Sequence, residues 1–187
     1  MAIAQSCYRI LEEISRTIDS ADMTATPELL DVIGKAKRVF VTGAGRSGLM
    51  MRSFAMRLMQ IGVDTYVVGE TTTPQIERGD VLVVGSGSGQ TGGPVSFANI
   101  ARHAGGRVVA ITAAAKSPLR ELAEIVVTLP APTPKSSNNH DVPPSVQPLG
   151  SLFEQMLLIY VDALIIMLME TMGVDADTLM SRHTRLE

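Results

Sequence analysis

Through the middle of the chain, short β-branched apolar runs alternate with longer stretches of helical periodicity. The runs are Arg38 to Thr42, Asp64 to Val68, Val81 to Gly85, Arg107 to Thr112 and Glu124 to Leu129. Leu49 to Ile61 and Pro94 to Ala104 carry helical spacing between them, the second closed by Gly105-Gly106. Strand and helix alternating through short glycine-bearing connections predict a parallel sheet covered on both faces, here with five strands. Ahead of this unit, Ile3, Tyr8, Leu11, Ile14 and Ile18 predict an amphipathic helix from Ala2 to Asp19. Thr26, followed by Pro27, predicts the N-cap of a second helix.

Beyond the sheet, Leu152 to Met169 is apolar on most faces. Glu154 and Asp162 interrupt it, and the unbroken run Ala163 to Met169 is shorter than the roughly 18 to 20 residues a membrane span needs. Such a helix is expected at the centre of a core or in a subunit interface. A short terminal helix follows Gly173. The 187 residues, 45% hydrophobic, suit one α/β domain over 1–187, with helices before about residue 37 and after about residue 150.

The formal charge of -3 and the lack of any Lys or Arg run argue against nucleic acid or an anionic membrane as partner. Cys7 is the only cysteine, so a disulfide within the chain or a multi-thiolate metal site is excluded. Glu12, Glu13, Arg16 and Asp19 break the apolar character of the first 20 residues, so no secretory signal is expected and a cytoplasmic setting is. Pro130 to Pro148 is too rich in Pro, Ser and Asn for helix or central strand.

Candidate chemistry concentrates in two loops. Gly43-Ala44-Gly45-Arg46-Ser47-Gly48 follows the first strand and opens a helix, so Gly45, Arg46 and Ser47 lie where backbone amides meet an anion. A dinucleotide fold has this pattern too, and Glu70 stands about where its ribose-binding acid would be. The second loop, Ser86-Gly87-Ser88-Gly89-Gln90-Thr91-Gly92, follows the third strand and adds three hydroxyls. With strand order 2-1-3-4-5, as in flavodoxin-like folds, both loops converge at the switch point of the sheet. Pyrophosphate needs one glycine loop; a phosphate monoester, with three terminal oxygens, calls for many short donors, and this favours the monoester. Ser86, Ser88 and Thr91 could instead merely shape turns and a cap.

Gly43 to Gly48, Ser86 to Gly92 and Gly150-Ser151-Leu152-Phe153-Glu154 together resemble the sugar isomerase (SIS) domain family. Within it, Gly-Glu-Thr-Thr-Thr-Pro at 69 to 74 and the ending Arg182-His183-Thr184-Arg185-Leu186-Glu187 resemble the 6-phospho-3-hexuloisomerase branch. The resemblance spans essentially the whole chain. It implies a five-stranded parallel sheet, a homotetramer, and conversion of D-arabino-3-hexulose 6-phosphate to fructose 6-phosphate without a cofactor, as in formaldehyde assimilation by the ribulose monophosphate route. It maps phosphate binding onto Ser47, Ser86, Ser88 and Thr91, with Gly45, Arg46, Gly87, Gly89 and Gln90 completing the substrate loops, and a catalytic carboxylate onto Glu154.

Moving a carbonyl to the neighbouring carbon requires a proton shuttle, which one carboxylate can provide. The competing role for Glu154 is structural, because Ser151-x-x-Glu154 before an apolar run is a capping-box pattern. From the residues alone the two roles stand level; the resemblance tips the balance to catalysis. His183 is the second candidate, for ring opening or carbonyl polarisation if the tail folds over a site, and a terminal histidine can equally be plain surface. His103 reads as a helix-end residue and His140 as part of the polar loop, so no metal site is expected. The rival functions are another SIS isomerase, such as one for arabinose 5-phosphate, or a sugar-phosphate sensor without catalysis.

Overall fold

The computed structural model describes residues 2–133 and 144–185; His140, most of the Pro-rich stretch and the last two residues lie outside the described residues. Five strands, β1 (Val39–Gly43), β2 (Thr65–Val67), β3 (Val81–Gly85), β4 (Arg107–Thr112) and β5 (Ile125–Thr128), form one parallel sheet in the order β2-β1-β3-β4-β5. The order and the strand count agree with expectation. Val39, Phe40 and Val41 of β1, Val81 to Val84 of β3 and Val108 to Ile111 of β4 are all buried, because helices cover both faces.

One face carries α1 (Ile3–Ser20), α2 (Thr26–Lys35), α3 (Gly45–Ile61) and α6 (Ser151–Met172); the other carries α4 (Gly92–His103) and α5 (Pro118–Leu122). The last helix, α7 (Ala176–Ser181), packs beside α3. The helix α6 is long and apolar enough to cross a membrane. Its buried stripe, including Phe153, Leu157, Val161, Leu164 and Leu168, packs into the larger core, while Ile166, Met167 and Met172 remain exposed. Burial of each such large side chain stabilises the fold by roughly 1.5 to 3 kcal/mol.

Two local expectations are corrected, and the helix expected from Ala2 to Asp19 is found at Ile3–Ser20. Thr26 is the first residue of α2 rather than its cap, and its hydroxyl meets the Tyr160 hydroxyl at 2.9 Å. The helix after β1 starts at Gly45, four residues before Leu49, so the glycine loop is itself the first turn of α3. Finally, α1 turns most of its apolar stripe outward: Ile3, Tyr8, Leu11 and Ile18 are exposed, whereas Glu13 and Thr17 are buried.

Glu13, 6% exposed, accepts from the Val146 amide at 2.7 Å, the Ser145 hydroxyl at 2.8 Å and the Gln147 side-chain amide at 3.0 Å. Burial pushes its carboxyl up. These donors and the nearby Arg16 outweigh that and hold it below the usual glutamate range. A carboxylate depressed on folding contributes stability above its unfolded value, about 4.3, and that stability is lost as pH falls through the lower folded value. The difference in melting temperature between wild type and Glu13→Gln should therefore be full near neutrality and shrink below about pH 4. A difference that stayed constant as the pH fell through the acid range would show that the charge of Glu13 contributes nothing.

Candidate active site

The site is built where β1 and β3 end side by side. Register pairs Gly43 with Gly85, so the loops that follow leave the sheet at the same level, at the point where the chain winds in opposite directions. In the first loop, the Gly48 backbone approaches Gly43 so closely that a methyl at Gly48 would stand 2.7 Å from the Gly43 carbonyl oxygen. That contact lays the start of α3 against the strand end, and Ser47, just before it, is turned into the cleft with only 9% of its surface exposed.

The second loop is held from below by its carbonyls. Gly87 O accepts from the Ala113 amide and the Thr112 hydroxyl, and Gly89 O accepts from the Leu119 amide. Gly89 has φ of +60° and would bring a Cβ to 2.2 Å from the Ser117 hydroxyl, so glycine is required there. With its carbonyls bound to the scaffold, the loop turns its hydroxyls to the cleft. Ser88 accepts from the Gln90 amide, whereas the hydroxyls of Ser47 and Ser86 have no protein partner among the described residues. Thr91 is the N-cap residue of α4 but makes no side-chain cap bond, which leaves its hydroxyl to the cleft as well.

The cleft holds about 220 Å³ between Ser47, Ser86, Gly87, Ser88 and Thr91 on one side and Leu149, Gly150, Phe153 and Glu154 on the other, with Thr133 at its edge. The position of Glu154 follows from how α6 starts. Gly150, not Ser151, is the N-cap; the Ser151 amide donates to the Pro148 carbonyl at 3.1 Å, and the Glu154 amide donates to the Gly150 carbonyl. The capping box does not form, and the Glu154 carboxylate, its side chain 16% exposed, instead receives Nε of Arg46 at 2.5 Å. A short acceptor facing hydroxyl-lined space can move a proton to or from a bound ligand.

The structure thus brings together Ser47, Ser86, Ser88, Thr91, Arg46, Gly87 and Glu154. Gly45, with φ of +56°, opens α3 beside them, and Gln90 of the second loop is exposed and does not itself line the cleft. Glu70 pairs with Arg52 on the surface and does not line the cleft. His183 is not at the cleft of its own chain: α6 runs on from Glu154 to Met172, roughly 27 Å, before α7, and Arg182 donates to the Gln60 carbonyl at the far end of α3. His103 ends α4, its ring against the Asn99 carbonyl. Sequence reasoning missed Thr133, whose hydroxyl stands outside the two glycine loops, and Leu149, whose side chain carries no chemical signature.

The SIS domain model matches residues 32–167. A 3-hexulose-6-phosphate isomerase of Bacillus subtilis is 39% identical over the full length of both chains. One of Mycobacterium gastri is 43% identical over 99% of this chain and 92% of its own. A solved Methanococcus jannaschii structure, reported as inferring a 3-hexulose-6-phosphate isomerase function, is 32% identical, with a TM-score of 0.83 and coverage of 98% of this chain and 99% of that one. Matched across most of its sequence and aligned to these relatives nearly end to end, the chain belongs to the SIS domain family.

Proposed function

We propose that this protein is a cofactor-free sugar-phosphate isomerase that converts D-arabino-3-hexulose 6-phosphate to fructose 6-phosphate, in one SIS unit spanning 1–187 and in a cytoplasmic setting. One observation carries the reading: two hydroxyl-bearing glycine loops face a carboxylate across a single cleft. The names of the full-length relatives specify the substrate. Hydroxyls of Ser47, Ser86, Ser88 and Thr91, with the amides around Gly87, Gly89 and the start of α3 at Gly45, hold the phosphate. Gln90 completes the second loop.

With the phosphate fixed, Glu154 takes the proton from C2, next to the C3 carbonyl. The electron pair of that C–H bond forms the C2=C3 double bond and O3 takes up a proton, giving a cis-enediol. Return of a proton to C3 and loss of the O2 proton leave the carbonyl at C2. Arg46 orients the carboxylate and faces the oxygens on which negative charge builds. His183 takes part only from a neighbouring copy, across an assembly that covers the exposed apolar residues of α1 and α6. The family resemblance supports a copy number of four.

Turnover of fructose 6-phosphate in the reverse direction tests the enzyme against the sensor. It should persist after exhaustive chelation, and inactive chelated protein revived by a divalent ion would overturn the cofactor-free reading. Ser86→Ala removes a hydroxyl that has no internal bond to lose. A hydrogen bond to a charged group contributes about 1.5 to 3 kcal/mol, so KM should rise roughly tenfold to a hundredfold. An unchanged KM would take Ser86 out of the phosphate site. Sedimentation at micromolar concentration should give four chain masses, and a monomer would refute the assembly.

A further inference from the structure

The helix α1 buries a carboxylate and exposes most of its apolar stripe, the reverse of what a helix docked for its own stability does. What the buried side grips is the segment leading into the site. Glu13 holds Ser145, Val146 and Gln147 by three hydrogen bonds across 132 to 134 residues of chain, and the Ser145 hydroxyl also accepts from the Gln147 amide at 3.0 Å. Immediately beyond, the Pro148 carbonyl takes the Ser151 amide, Leu149 adopts φ of +53°, and Gly150 caps α6. Leu149, Gly150 and Glu154 are then in the cleft.

We infer that Glu13 is a positioning residue for the reaction: anchored on α1, its carboxylate fixes Ser145 to Gln147 and thereby the start of α6, which aims Glu154 at the substrate. The inference rests on the assignment of Glu154 as the proton shuttle. It explains why three acceptor contacts converge on a segment remote in sequence. An unclamped segment would leave Leu149, a non-glycine residue at positive φ, free to relax, and with it the first turn of α6. The phosphate loops hang from β1 and β3, which the clamp does not touch, so it bears on Glu154 and not on phosphate.

The test compares Glu13→Gln with Thr17→Val. Thr17 is the other buried polar residue of α1, and its hydroxyl donates to the Glu13 carbonyl within the helix rather than to the segment. A glutamine side chain in place of the carboxylate cannot accept from all three donors at once, since one of its two polar atoms is itself a donor. Displacement of a catalytic group by about 1 Å can cost about a hundredfold in rate. In Glu13→Gln, kcat should fall about tenfold to a hundredfold while the affinity for inorganic phosphate stays at the wild-type value, and amide exchange over residues 149–154 should quicken. Thr17→Val should keep both kcat and exchange protection there. If Glu13→Gln fails to fold, Glu13→Asp, with the charge kept and the reach shortened, carries the same comparison.

Unchanged kcat in folded Glu13→Gln, or equal losses in both variants, would overturn the inference. Amide exchange separates it from the functional reading. Faster exchange confined to the Glu13 variant is expected whether or not the wild type turns over sugar, and unaltered exchange in that variant sinks the clamp even in an active enzyme.

Discussion

Glu154→Gln should fold, assemble and bind a phosphorylated sugar while losing about a hundredfold to ten-thousandfold in kcat, the usual span for removal of a general base. Glutamine keeps the shape of the side chain and an oxygen that can still accept from Arg46, but it cannot shuttle a proton. Fold stability should change little, because the carboxylate takes no part in capping α6: Gly150 is the cap and the Ser151 amide is satisfied by Pro148. The ion pair with Arg46 is half open to solvent on the arginine side, so its loss contributes no more than the small amount expected of exposed pairs. Single-turnover and steady-state rates, with phosphate affinity measured in parallel, check this. A folded variant with near-normal turnover would remove Glu154 from proton transfer, and Arg46 would then be bridging to a carboxylate of structural value only.

Much of the architecture could be read from the pattern of apolar residues, for a physical reason. In β1, β3 and β4 both faces are covered, so Val39 to Val41, Val81 to Val84 and Val108 to Ile111 are unbroken apolar runs, and the glycines after β1 and β3 mark where the chain must turn tightly. The two phosphate loops were legible because hydroxyls and glycines clustered after consecutive inner strands. The start of α3 was less so: Gly43 to Gly48 has turn composition, yet with Gly48 packed on Gly43 the helix already begins at Gly45.

Other features depended on contacts between distant residues. The Ser151-x-x-Glu154 pattern promises a cap only if the Ser151 amide is unoccupied, and the Pro148 carbonyl occupies it. Thr26 has the chemistry of a cap, but Tyr160, 134 residues away, claims its hydroxyl. Burial pushes the Tyr160 phenol above its ordinary value, with the Thr26 hydroxyl acting in the opposite direction. Glu13 on an amphipathic helix looks like solvent-facing charge until Ser145 to Gln147 are brought against it. Nor does sequence order reveal that α6 carries His183 away from Glu154 of the same chain, towards the far end of α3.

The second large effect is expected at Gly48, where the smallest added group meets the least yielding neighbour. A Cβ there would lie 2.7 Å from the Gly43 carbonyl oxygen and 3.1 Å from its carbon. Gly43 cannot retreat, because it is the last residue of β1 and is registered against Gly85 of β3. In Gly48→Ala the first turn of α3 must therefore lift from the strand end, carrying Ser47 and Arg46 with it. Overpacking of this kind costs roughly 1 to 3 kcal/mol, and in a chain of this size each kcal/mol lowers the melting temperature by roughly 2 to 4 °C. The effect on catalysis should be larger, since a shift of about 1 Å in a binding or positioning group can cost about a hundredfold. Gly34→Ala is the matched control: it lies within α2 with nothing near its Cβ, and replacing a helical glycine by alanine stabilises by roughly 0.5 to 1 kcal/mol. Thermal melts of Gly34→Ala should rise slightly with kcat/KM unchanged, whereas both should fall sharply in Gly48→Ala. Wild-type turnover in Gly48→Ala would mean that the close approach of α3 to β1 does not set the geometry of the phosphate loop.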